Sequence, residues 1–364
     1  MLSEDEIYQK IYEKHQKLLI DPHNIDNYIN KFPKEKKDLF NKSYFHQKRI
    51  LITGISGFVG STLVEKLLSI DQEVEIYGIV RRQSSPTYPK IDKFLNRIVI
   101  KEANLFDYSS LETTIKEVQP DYIFHLAAQS FVPSSFRGPI EVVRTNIEGT
   151  VNLLEIIRKL DLDIDCIHVA GSSEEYGLVF PDEIPIKESN PFRPQSPYAA
   201  SKIATEHFSL AYHRMYGIPI VVTRGFNHTG PNRGVMFVTS VIANQIAKIL
   251  RKEIKEIIIG NPNPIRDFTD IRDMIQGYLL AITVGKKGDV YNLGHGMGIS
   301  IKNLIELTAT LYNVKYTIKI DRTRFRPAEV PVLLCDYAKA KNHIGYYPQY
   351  PITETMQNLV KSYL

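Results

Sequence analysis

A tyrosine and a lysine stand four residues apart in the segment 198–202, which reads Tyr-Ala-Ala-Ser-Lys. On a helix this spacing places Tyr198 and Lys202 on one face. An ammonium group beside a phenol favours the phenolate form and so lowers the pKa of the phenol. The pair therefore predicts a tyrosine that exchanges a proton with a substrate near neutral pH. Because this spacing is common by chance, the prediction depends on support from other residues.

Hydroxyl groups follow a predicted strand upstream of this pair. The segment 169–177 reads Val-Ala-Gly-Ser-Ser-Glu-Glu-Tyr-Gly, and we expect its strand to lie beside the helix of Tyr198. Ser172 would then be placed to hydrogen-bond a substrate carbonyl or alkoxide. The serine, the tyrosine and the lysine support one another when they follow a glycine-rich loop in this order.

Such a loop occurs at 53–60, which reads Thr-Gly-Ile-Ser-Gly-Phe-Val-Gly, with glycines at 54, 57 and 60. It leaves a predicted strand and opens a predicted helix. Glycines permit the tight turn, let the backbone approach a pyrophosphate and let the helix pack on the sheet. The helix N-terminus supplies free N–H groups and a positive dipole. The loop therefore predicts dinucleotide binding.

The end of the second predicted strand bears on the choice of dinucleotide. An NAD-specific site usually places Asp or Glu there for the ribose 2′-hydroxyl. This chain has Arg81 and Arg82 instead, and a guanidinium group can bind a 2′-phosphate bidentately. We predict NADP, with NAD as the alternative. The competing interpretation is that one or both arginines face solvent or a neighbouring subunit.

Strands and helices alternate from residue 48 onward. The predicted strands span 49–53, 75–80, 97–100, 121–126, 166–170 and 220–224. The predicted helices span 57–69, 111–118, 146–160 and 198–216. This alternation predicts an α/β fold with a doubly wound parallel (Rossmann) sheet. We expect a dinucleotide-binding domain at 47–226 and a smaller, mainly substrate-binding region at 227–364, parts of which return to the core.

Residues 1–46 differ from the rest in composition. Ile7, Ile11 and Leu18 recur at helical spacing and predict an amphipathic helix. A second short element is expected within 24–40. We interpret the segment as a helical extension that is packed or partly disordered, the alternative being an arm for a partner or for oligomer formation.

Composition excludes several classes of protein. The chain has 364 residues, 43% apolar and 24% charged, with a net charge of +4, which are ordinary globular values. No apolar run is long enough to span a bilayer, the first residues do not resemble a signal peptide, and nucleic acid and membrane are not expected partners. The two cysteines and the scattered histidines predict neither a disulfide framework nor a metal site. We expect a cytoplasmic protein.

Together these motifs resemble the extended short-chain dehydrogenases/reductases that act on nucleotide sugars, from about residue 48 to the C-terminus. The resemblance implies that the nicotinamide lies between Tyr198 and C4 of the sugar. It implies that Tyr198 shuttles the hydroxyl proton, that Lys202 holds Tyr198 and the nicotinamide ribose, and that Ser172 polarises the C4 oxygen. The cofactor-binding residues it implies are Gly54, Ser56, Gly57, Phe58, Val59, Gly60, Arg81, Arg82, Asn104, Leu105, Leu126, Ala127, Ala128, Gln129, Tyr198 and Lys202.

Two subfamilies compete. The segments that resemble GDP-4-keto-6-deoxy-mannose reductases are 120–128, 171–177, 226–231, 266–273, 288–292 and 326–331. The features that resemble GDP-mannose 4,6-dehydratases are Arg81-Arg82 with Ser84-Ser85, Gln129-Ser130 with Ser135-Phe136, and 233–239. A dehydratase needs a base for the C5 proton, and Glu174 occupies that position, with Ser172 and Ser173 where those enzymes have Thr and Ser.

The reductase is favoured at this stage. A keto reductase needs only Ser172, Tyr198 and Lys202, and Glu174 also resembles residues of some reductases. The glycine loop differs from the Gly-Gln-Asp-Gly typical of the dehydratases. The dehydratase is the alternative, and a C4 epimerase or dehydrogenase is less favoured. A cofactor-binding scaffold without chemistry is disfavoured because the tyrosine and the lysine are both present.

The substrate implied by the resemblance is a nucleoside diphosphate sugar, and a GDP-linked sugar is expected. Its diphosphate needs cations, and arginine suits phosphate oxygens. The substrate-binding residues expected are Ser130, Asn227, Arg233, Arg266, Arg326 and Glu329. Relatives often pair helices such as 146–160 and 198–216 across a two-fold axis, so a homodimer is expected. A homotetramer through the loop 81–89, as in the dehydratases, is the alternative.

Overall fold

Thirteen strands and thirteen α-helices make up the regular structure of residues 3–84 and 87–364, which are the residues that the computed structural model describes. The strands are β1 Arg49–Thr53, β2 Glu75–Val80, β3 Ile98–Glu102, β4 Tyr122–His125, β5 Cys166–Ala170, β6 Ile220–Gly225, β7 Asn227–Thr229, β8 Glu256–Ile259, β9 Ile265–Asp270, β10 Val290–Leu293, β11 Gly298–Ser300, β12 Thr317–Ile320 and β13 Val332–Leu333. The helices are α1 Glu4–His15, α2 Ile25–Ile29, α3 Phe58–Ile70, α4 Tyr108–Val118, α5 Val132–Arg137, α6 Pro139–Val142, α7 Gly149–Leu160, α8 Pro197–Tyr216, α9 Val238–Leu250, α10 Ile271–Val284, α11 Ile301–Leu311, α12 Ala338–Ile344 and α13 Ile352–Lys361. Ser85 lies outside the described residues.

The central sheet has seven strands in the order β3-β2-β1-β4-β5-β6-β10, and every neighbouring pair is parallel. Its strands are short apolar runs because a parallel sheet is buried on both faces. α3 and α10 belong to the apolar cluster on one face, whereas α4 and α7 belong to the cluster on the other. The predicted doubly wound α/β fold is confirmed.

The strand order reverses at β1, which lies between β2 and β4. In open parallel sheets, ligands bind in the crevice at the carboxyl ends of the strands at such a point. The glycine loop that follows β1 and the segment 126–130 that follows β4 meet there. The fold therefore brings together two segments that the sequence analysis assigned separately to the cofactor.

Smaller sheets form most of the second half of the chain. β9 pairs with β7, β11 and β13, and β8 pairs with β12. The apolar faces of α9, α11 and α13 form one buried cluster with β8 and β9. β10 belongs to the central sheet, beside β6. The second half of the chain therefore contributes to the central sheet as well as to the smaller sheets.

Residues 3–46, here called the N-terminal strap, run across the surface of the molecule. Ile7 and Ile11 of α1 are buried in a cluster with Tyr176, which follows the turn after β5 that contains Ser172. The amide of Ile20 donates to the carbonyl of Gly298 at 2.8 Å. The predicted helical extension is therefore packed against the rest of the chain along its length.

Tyr28 of the strap is buried, and its hydroxyl has two partners far along the chain. It accepts from the amide of Ile352 at 2.8 Å and lies 3.0 Å from Nε2 of His295. Gln349 forms a second attachment, donating to the carbonyl of Lys37 at 2.7 Å and accepting from the amide of the same residue at 2.8 Å. The strap is thus held by specific polar contacts as well as by apolar packing.

Replacing Tyr28 with Phe is expected to lower the free energy of unfolding by about 1–3 kcal/mol, because the buried Ile352 amide and His295 ring lose their partner. Urea denaturation of the full chain measures this change. Tyr12→Phe is the matched control, since Tyr12 is 41% exposed, and its effect should stay within about 0.5 kcal/mol. Equal stability of the two variants would contradict a stabilising role for the Tyr28 hydroxyl.

The predicted element bounds differ from the structure in two instructive places. The helix predicted over 146–160 begins at Gly149, and residues Val143–Glu148 before it form a π-helical stretch. Here the carbonyl of Asn146 accepts from the hydroxyls of Thr150 and Thr205, at 2.6 and 3.1 Å. The helix predicted from 111 begins at Tyr108, because the side chain of Asp107 caps it.

Candidate active site

One cavity of 1380 Å³ opens at the carboxyl ends of the central strands. Every predicted catalytic, cofactor-binding and substrate-binding residue except Arg82 contributes to its wall. Eight lysine and arginine side chains line the cavity against three glutamates. The excess of positive charge suits a ligand that carries several phosphate groups.

The glycine loop forms one end of the cavity, and its geometry requires glycine. Gly54 has φ +75°, and a Cβ on it would lie 3.0 Å from the backbone of Ala127. A Cβ on Gly60 would lie 2.4 Å from the carbonyl oxygen of Gly54. α3 begins after Gly57 without a side-chain cap, so the first N–H groups of this helix are available to a phosphate.

Tyr198, the predicted catalytic tyrosine, lies on the first turn of α8. Ser196 caps this helix by accepting from the amide of Ala199 at 3.1 Å, and Pro197 occupies its first position, where a missing N–H costs nothing. Tyr198 is buried, and Ser172 acts on it to lower the pKa of its hydroxyl. The serine and the tyrosine predicted to act on one oxygen atom therefore lie near each other.

Lys202 is buried one turn further along α8, and its Nζ donates to the carbonyl of Ala170 at 2.7 Å. Burial lowers the pKa of Lys202 to about 8, while the charge of Glu175 opposes that change. Burial also raises the pKa of Tyr198 to about 12. The net shift of the Tyr198 pKa is therefore opposite to the one expected from Lys202, because desolvation of the phenolate outweighs the interaction with Ser172 and the charge of Arg233, which both lower the pKa.

Glu174 belongs to a single 3-10 turn, Ser173–Glu175, that follows β5. Its carboxylate lines the cavity, and its charge acts on Tyr198. Oε1 of Glu174 lies 3.4 Å from Nη1 of Arg326. Ser173 is buried in the same turn and also lines the cavity. A carboxylate is therefore present in the wall that holds the serine and the tyrosine.

Two residues predicted to bind different parts of a nucleotide contact each other. Nη2 of Arg266 donates to Oε1 of Glu329 at 3.0 Å, and Nη1 donates to the carbonyl of Ile265. Arg233 lies elsewhere in the cavity, with its guanidinium 5.2 Å from the ring centroid of Phe58 and 3.7 Å from that of Phe237. Arg233, predicted to bind the substrate's diphosphate, thus lies beside Phe58 of the cofactor loop.

Several predicted residues keep polar atoms available to a ligand. Oε1 of Gln129 and Oδ1 of Asn227 are buried without a hydrogen-bond partner in the part of the chain that the structure describes. Arg81 is exposed at the cavity rim, whereas the side chain of Arg82, also exposed, lies outside the wall. The structure therefore separates the two arginines that the sequence could not distinguish.

The residues of the cavity wall that were not assigned from the sequence include Lys90, His228, Tyr278 and Arg324. Burial and the charge of Arg233 lower the pKa of Lys90. His228 stacks on Phe58 with centroids 6.2 Å apart. Nε of Arg324 donates to Asp321 at 3.0 Å. His228 lies in the segment 226–231, whereas no local pattern marks the other three positions, because each reaches the cavity only through the tertiary fold.

Two buried histidines interpreted as core residues are hydrogen-bonded in the sheet. His125 contacts the hydroxyls of Thr53 and Thr150, and His168 contacts that of Thr223. Burial lowers the pKa of both rings to about 3. Within residues 3–84 and 87–364, no cluster of His, Cys, Asp or Glu is arranged to hold a metal ion, and no helix has the length and apolarity needed to cross a membrane.

The Rossmann sheet, the glycine loop and the Ser172–Tyr198–Lys202 site define an extended short-chain dehydrogenase/reductase. A family model described as GDP-mannose 4,6 dehydratase matches residues 51–359. The chain belongs to this family. The N-terminal strap lies outside the matched residues.

Individual relatives have two different activities in their names. A GDP-mannose 4,6-dehydratase of Vibrio cholerae is 32% identical over 351 residues, covering 86% of this chain and 93% of that protein. A GDP-6-deoxy-D-mannose reductase of Pseudomonas aeruginosa is 29% identical over 317 residues, covering 87% and 97%. The structure of RMD from Pseudomonas aeruginosa complexed with NADPH has a TM-score of 0.74 at 29% identity, covering 87% of this chain and 98% of that one.

Proposed function

We propose that the protein is an NADP-dependent 4,6-dehydratase that converts a GDP-linked hexose to its 4-keto-6-deoxy derivative. The observation that carries this proposal is the carboxylate of Glu174 in the cavity wall, where its charge acts on Tyr198. The match to the GDP-mannose 4,6 dehydratase family supports it. The sequence analysis placed the reductase first, and the position of Glu174 changes that order.

The residues of the site suffice for each proton transfer. Tyr198 takes the proton of the C4 hydroxyl while Ser172 hydrogen-bonds the same oxygen, so that a ketone forms at C4. The ketone acidifies C5–H, and Glu174 removes that proton and passes it to the C6 hydroxyl, which leaves as water. When bound, the nicotinamide would accept the hydride from C4 and return it to C6. The proton taken from the C4 hydroxyl balances the one that C5 regains, and the net change is loss of one water.

The site fits a nicotinamide dinucleotide on its own geometry. The loop of Gly54 and Gly60 leaves no room for a Cβ beside its carbonyl groups, and the uncapped start of α3 offers N–H groups to a pyrophosphate. Gln129 and Asn227 present unpaired oxygens. We infer that the glycine loop holds the pyrophosphate and that Arg81 binds the 2′-phosphate.

A 4-keto-6-deoxy sugar reductase is the second candidate. The relative from Pseudomonas aeruginosa named as a reductase favours it. In this structure the carboxylate of Glu174 faces the guanidinium of Arg326 at 3.4 Å. A substrate that leaves this ion pair intact would use Glu174 to orient Arg326, and only Ser172, Tyr198 and Lys202 would act on the sugar.

Mass spectrometry of GDP-mannose after incubation with the purified protein and NADP tests the proposal. Loss of one water without a consumed reductant is the expected result. If GDP-mannose is unchanged and NADPH is consumed when the 4-keto-6-deoxy sugar is supplied, the reductase replaces the dehydratase. If neither assay shows a reaction, the dehydratase and the reductase are both overturned.

Replacing Arg81 with Ala is expected to weaken NADPH binding about 10-fold or more, because a charge-assisted hydrogen bond to phosphate is lost, and to leave NADH binding nearly unchanged. Fluorescence titration with each dinucleotide measures this. Arg82→Ala is the matched control, since Arg82 does not line the cavity, and should alter neither affinity. Equal affinities of the wild-type protein for NADH and NADPH would defeat the assignment of the 2′-phosphate to Arg81.

We also propose a homodimer formed by the faces of α7 and α8. Large apolar side chains are exposed on or next to this face: Ile140, Val143, Phe208, Met215 and Tyr216. Contiguous exposed apolar surface favours association, and light scattering at micromolar concentration tests it. The division into residues 1–46, 47–226 and 227–364 and the cytoplasmic location remain predictions from the sequence.

A further inference from the structure

Arg324 is a cation of the cavity wall that the mechanism above does not use. It belongs to the 3-10 turn Arg322–Arg324, which follows β12, and it lines the same cavity as the catalytic residues. Its side chain is 46% exposed. The guanidinium therefore lies at the rim of the cavity, where a ligand can reach it.

The guanidinium of Arg324 is held in one orientation. Its Nε donates to Oδ2 of Asp321 at 3.0 Å, and its Nη1 donates to the carbonyl of Ile258 at 3.1 Å. Asp321 is itself fixed, since its amide donates to the carbonyl of Ile259 at 2.7 Å and its Oδ1 accepts from the amide of Thr323 at 3.0 Å. These contacts use two of the five N–H groups of a guanidinium. Nη2 has no hydrogen-bond partner within residues 3–84 and 87–364, so it can donate to a ligand.

The backbone next to Arg324 is fixed by two strands. β8 and β12 pair in parallel, and the turn that carries Arg324 follows β12. Gly260 follows β8, and a Cβ on it would lie 3.1 Å from the Cβ of Arg324 and 3.2 Å from its carbonyl oxygen. The close approach of the two segments sets the place of Arg324 in the wall.

The position of Arg324 relative to the catalytic turn indicates which part of a substrate it meets. Nη1 of Arg326 lies 3.4 Å from Oε1 of Glu174, so Arg326 is next to the reacting sugar. Phe325 has an extended backbone, with φ −69° and ψ 141°, which places Arg324 about 7 Å from Arg326 along the chain. Arg324 contacts β8 instead of the catalytic turn. A nucleotide sugar that has its hexose at Glu174 would place its nucleoside, and not its hexose, near Arg324.

The wall around Arg324 suits a flat ring. Phe325 is 43% exposed and lines the cavity. Pro264 and Ile301 add apolar surface to the same wall. Nucleobases stack on exposed aromatic side chains, whereas a phosphate group gains nothing from apolar surface. The combination of one oriented guanidinium with apolar neighbours therefore favours a nucleobase over a second phosphate.

The donors of Arg324 distinguish one nucleobase from the others. Guanine presents two acceptors, O6 and N7, on one edge, and a guanidinium can bind both of them. Adenine presents an amino donor in place of O6, and pyrimidines have no N7. Because Asp321 and Ile258 hold the guanidinium, it cannot turn away from a base that presents a donor.

We propose that Arg324 is a specificity-determining residue that recognises the guanine base of the substrate by donating to O6 and N7. The proposal deepens the function proposed above and rests on its assignment of a GDP-linked substrate. It does not depend on which reaction follows at C4. Its test is therefore a measurement of nucleotide binding and requires no turnover.

Isothermal titration calorimetry of the full chain saturated with NADP measures the affinities for GDP, ADP and 7-deaza-GDP. The wild-type protein should bind 7-deaza-GDP about 10-fold or more weakly than GDP, because a hydrogen bond from a charged donor to N7 is lost. Arg324→Met should bind GDP and 7-deaza-GDP equally. Its preference for GDP over ADP should be about 5-fold to 150-fold smaller than that of the wild type, the discrimination expected of a bidentate contact.

Arg322→Met is the matched control, because Arg322 lies in the same turn and is exposed but does not line the cavity. It removes the same charge and should keep the preferences of the wild type. If Arg324→Met also keeps them, the proposal is overturned. An equal loss of affinity for GDP and ADP in Arg324→Met would assign Arg324 to the diphosphate and would overturn the proposal as well.

The wild-type protein carries the test if Arg324→Met does not fold, since equal binding of GDP and 7-deaza-GDP would overturn the proposal without any variant. The outcome is separable from that of the proposed function. A preference lost in Arg324→Met, in a protein that turns over neither sugar, would support the role of Arg324 and overturn the proposed function. A preference kept in Arg324→Met, in a protein that dehydrates GDP-mannose, would do the reverse.

Discussion

Glu174→Gln should reduce formation of the dehydrated product from GDP-mannose by about 100-fold to 10,000-fold, the range of contributions from a positioned acid or base. The amide cannot take the C5 proton that the neighbouring ketone has acidified. Folding should be preserved, since Gln is similar in size and the side chain lies at the cavity wall. Mass spectrometry of the product measures its formation. NMR of deuterium incorporated at C5 in ²H₂O measures removal of the C5 proton.

The outcome separates the two candidate activities. In a dehydratase, deuterium exchange at C5 should disappear together with product. In a reductase, Glu174→Gln should leave reduction of the supplied 4-keto-6-deoxy sugar within about 10-fold of the wild type, because loss of the ion pair with Arg326 affects binding alone. Glu141→Gln, which alters an exposed carboxylate at the same cavity, is the control and should retain full activity. Full dehydratase activity in Glu174→Gln would remove Glu174 from the mechanism.

Tyr198→Phe should lower kcat by about 100-fold to 10,000-fold for either activity, because proton exchange with the C4 oxygen is common to both. Dinucleotide affinity should change little, since the ring and its packing are retained. Steady-state kinetics with the active substrate and fluorescence titration with NADPH measure these quantities.

Tyr212→Phe is the matched control for that substitution. Tyr212 lies on the same helix, outside the cavity, and its hydroxyl donates to Glu155 at 3.2 Å. Its removal should leave kcat within about twofold of the wild type, as expected for a surface contact. If Tyr198→Phe kept comparable activity, the proton would have to reach the C4 oxygen from another group, and the assignment of Tyr198 would fail.

The sequence predicted the central sheet and its ligand crevice because these follow from local patterns. The apolar run of β1, the glycines at 54, 57 and 60, and the helix that follows them form one continuous segment. Ser172, Tyr198 and Lys202 were likewise predictable, since two strand–helix steps place them at one edge of a parallel sheet. In each case the residues that decide the geometry belong to one continuous segment or to consecutive strand–helix steps.

The remaining features depend on contacts between distant residues. Lys90 and Tyr278 line the cavity because separate elements meet there, and neither stands in a recognisable motif. The pKa of Tyr198 depends on burial, which outweighs the charge of Arg233, and burial is a property of the folded chain. Glu175 belongs to the segment 169–177, but its approach to Arg224 requires the registration of the turn after β5 against β6.

The N-terminal strap has a consequence for how the protein folds during synthesis. Tyr28 and Ile352 are separated by 324 residues, and Lys37 and Gln349 by 312. The ribosome makes the strap long before it makes these partners, and closing such a long loop carries an entropic cost that only complete docking offsets. Strands β1 to β6 of the central sheet can pair before the strap docks, and Ile7, Ile11 and Tyr28 are then exposed to water. The part of the strap around Tyr28 and Lys37 therefore completes its docking only after translation has passed residue 352, and until then it needs protection from aggregation.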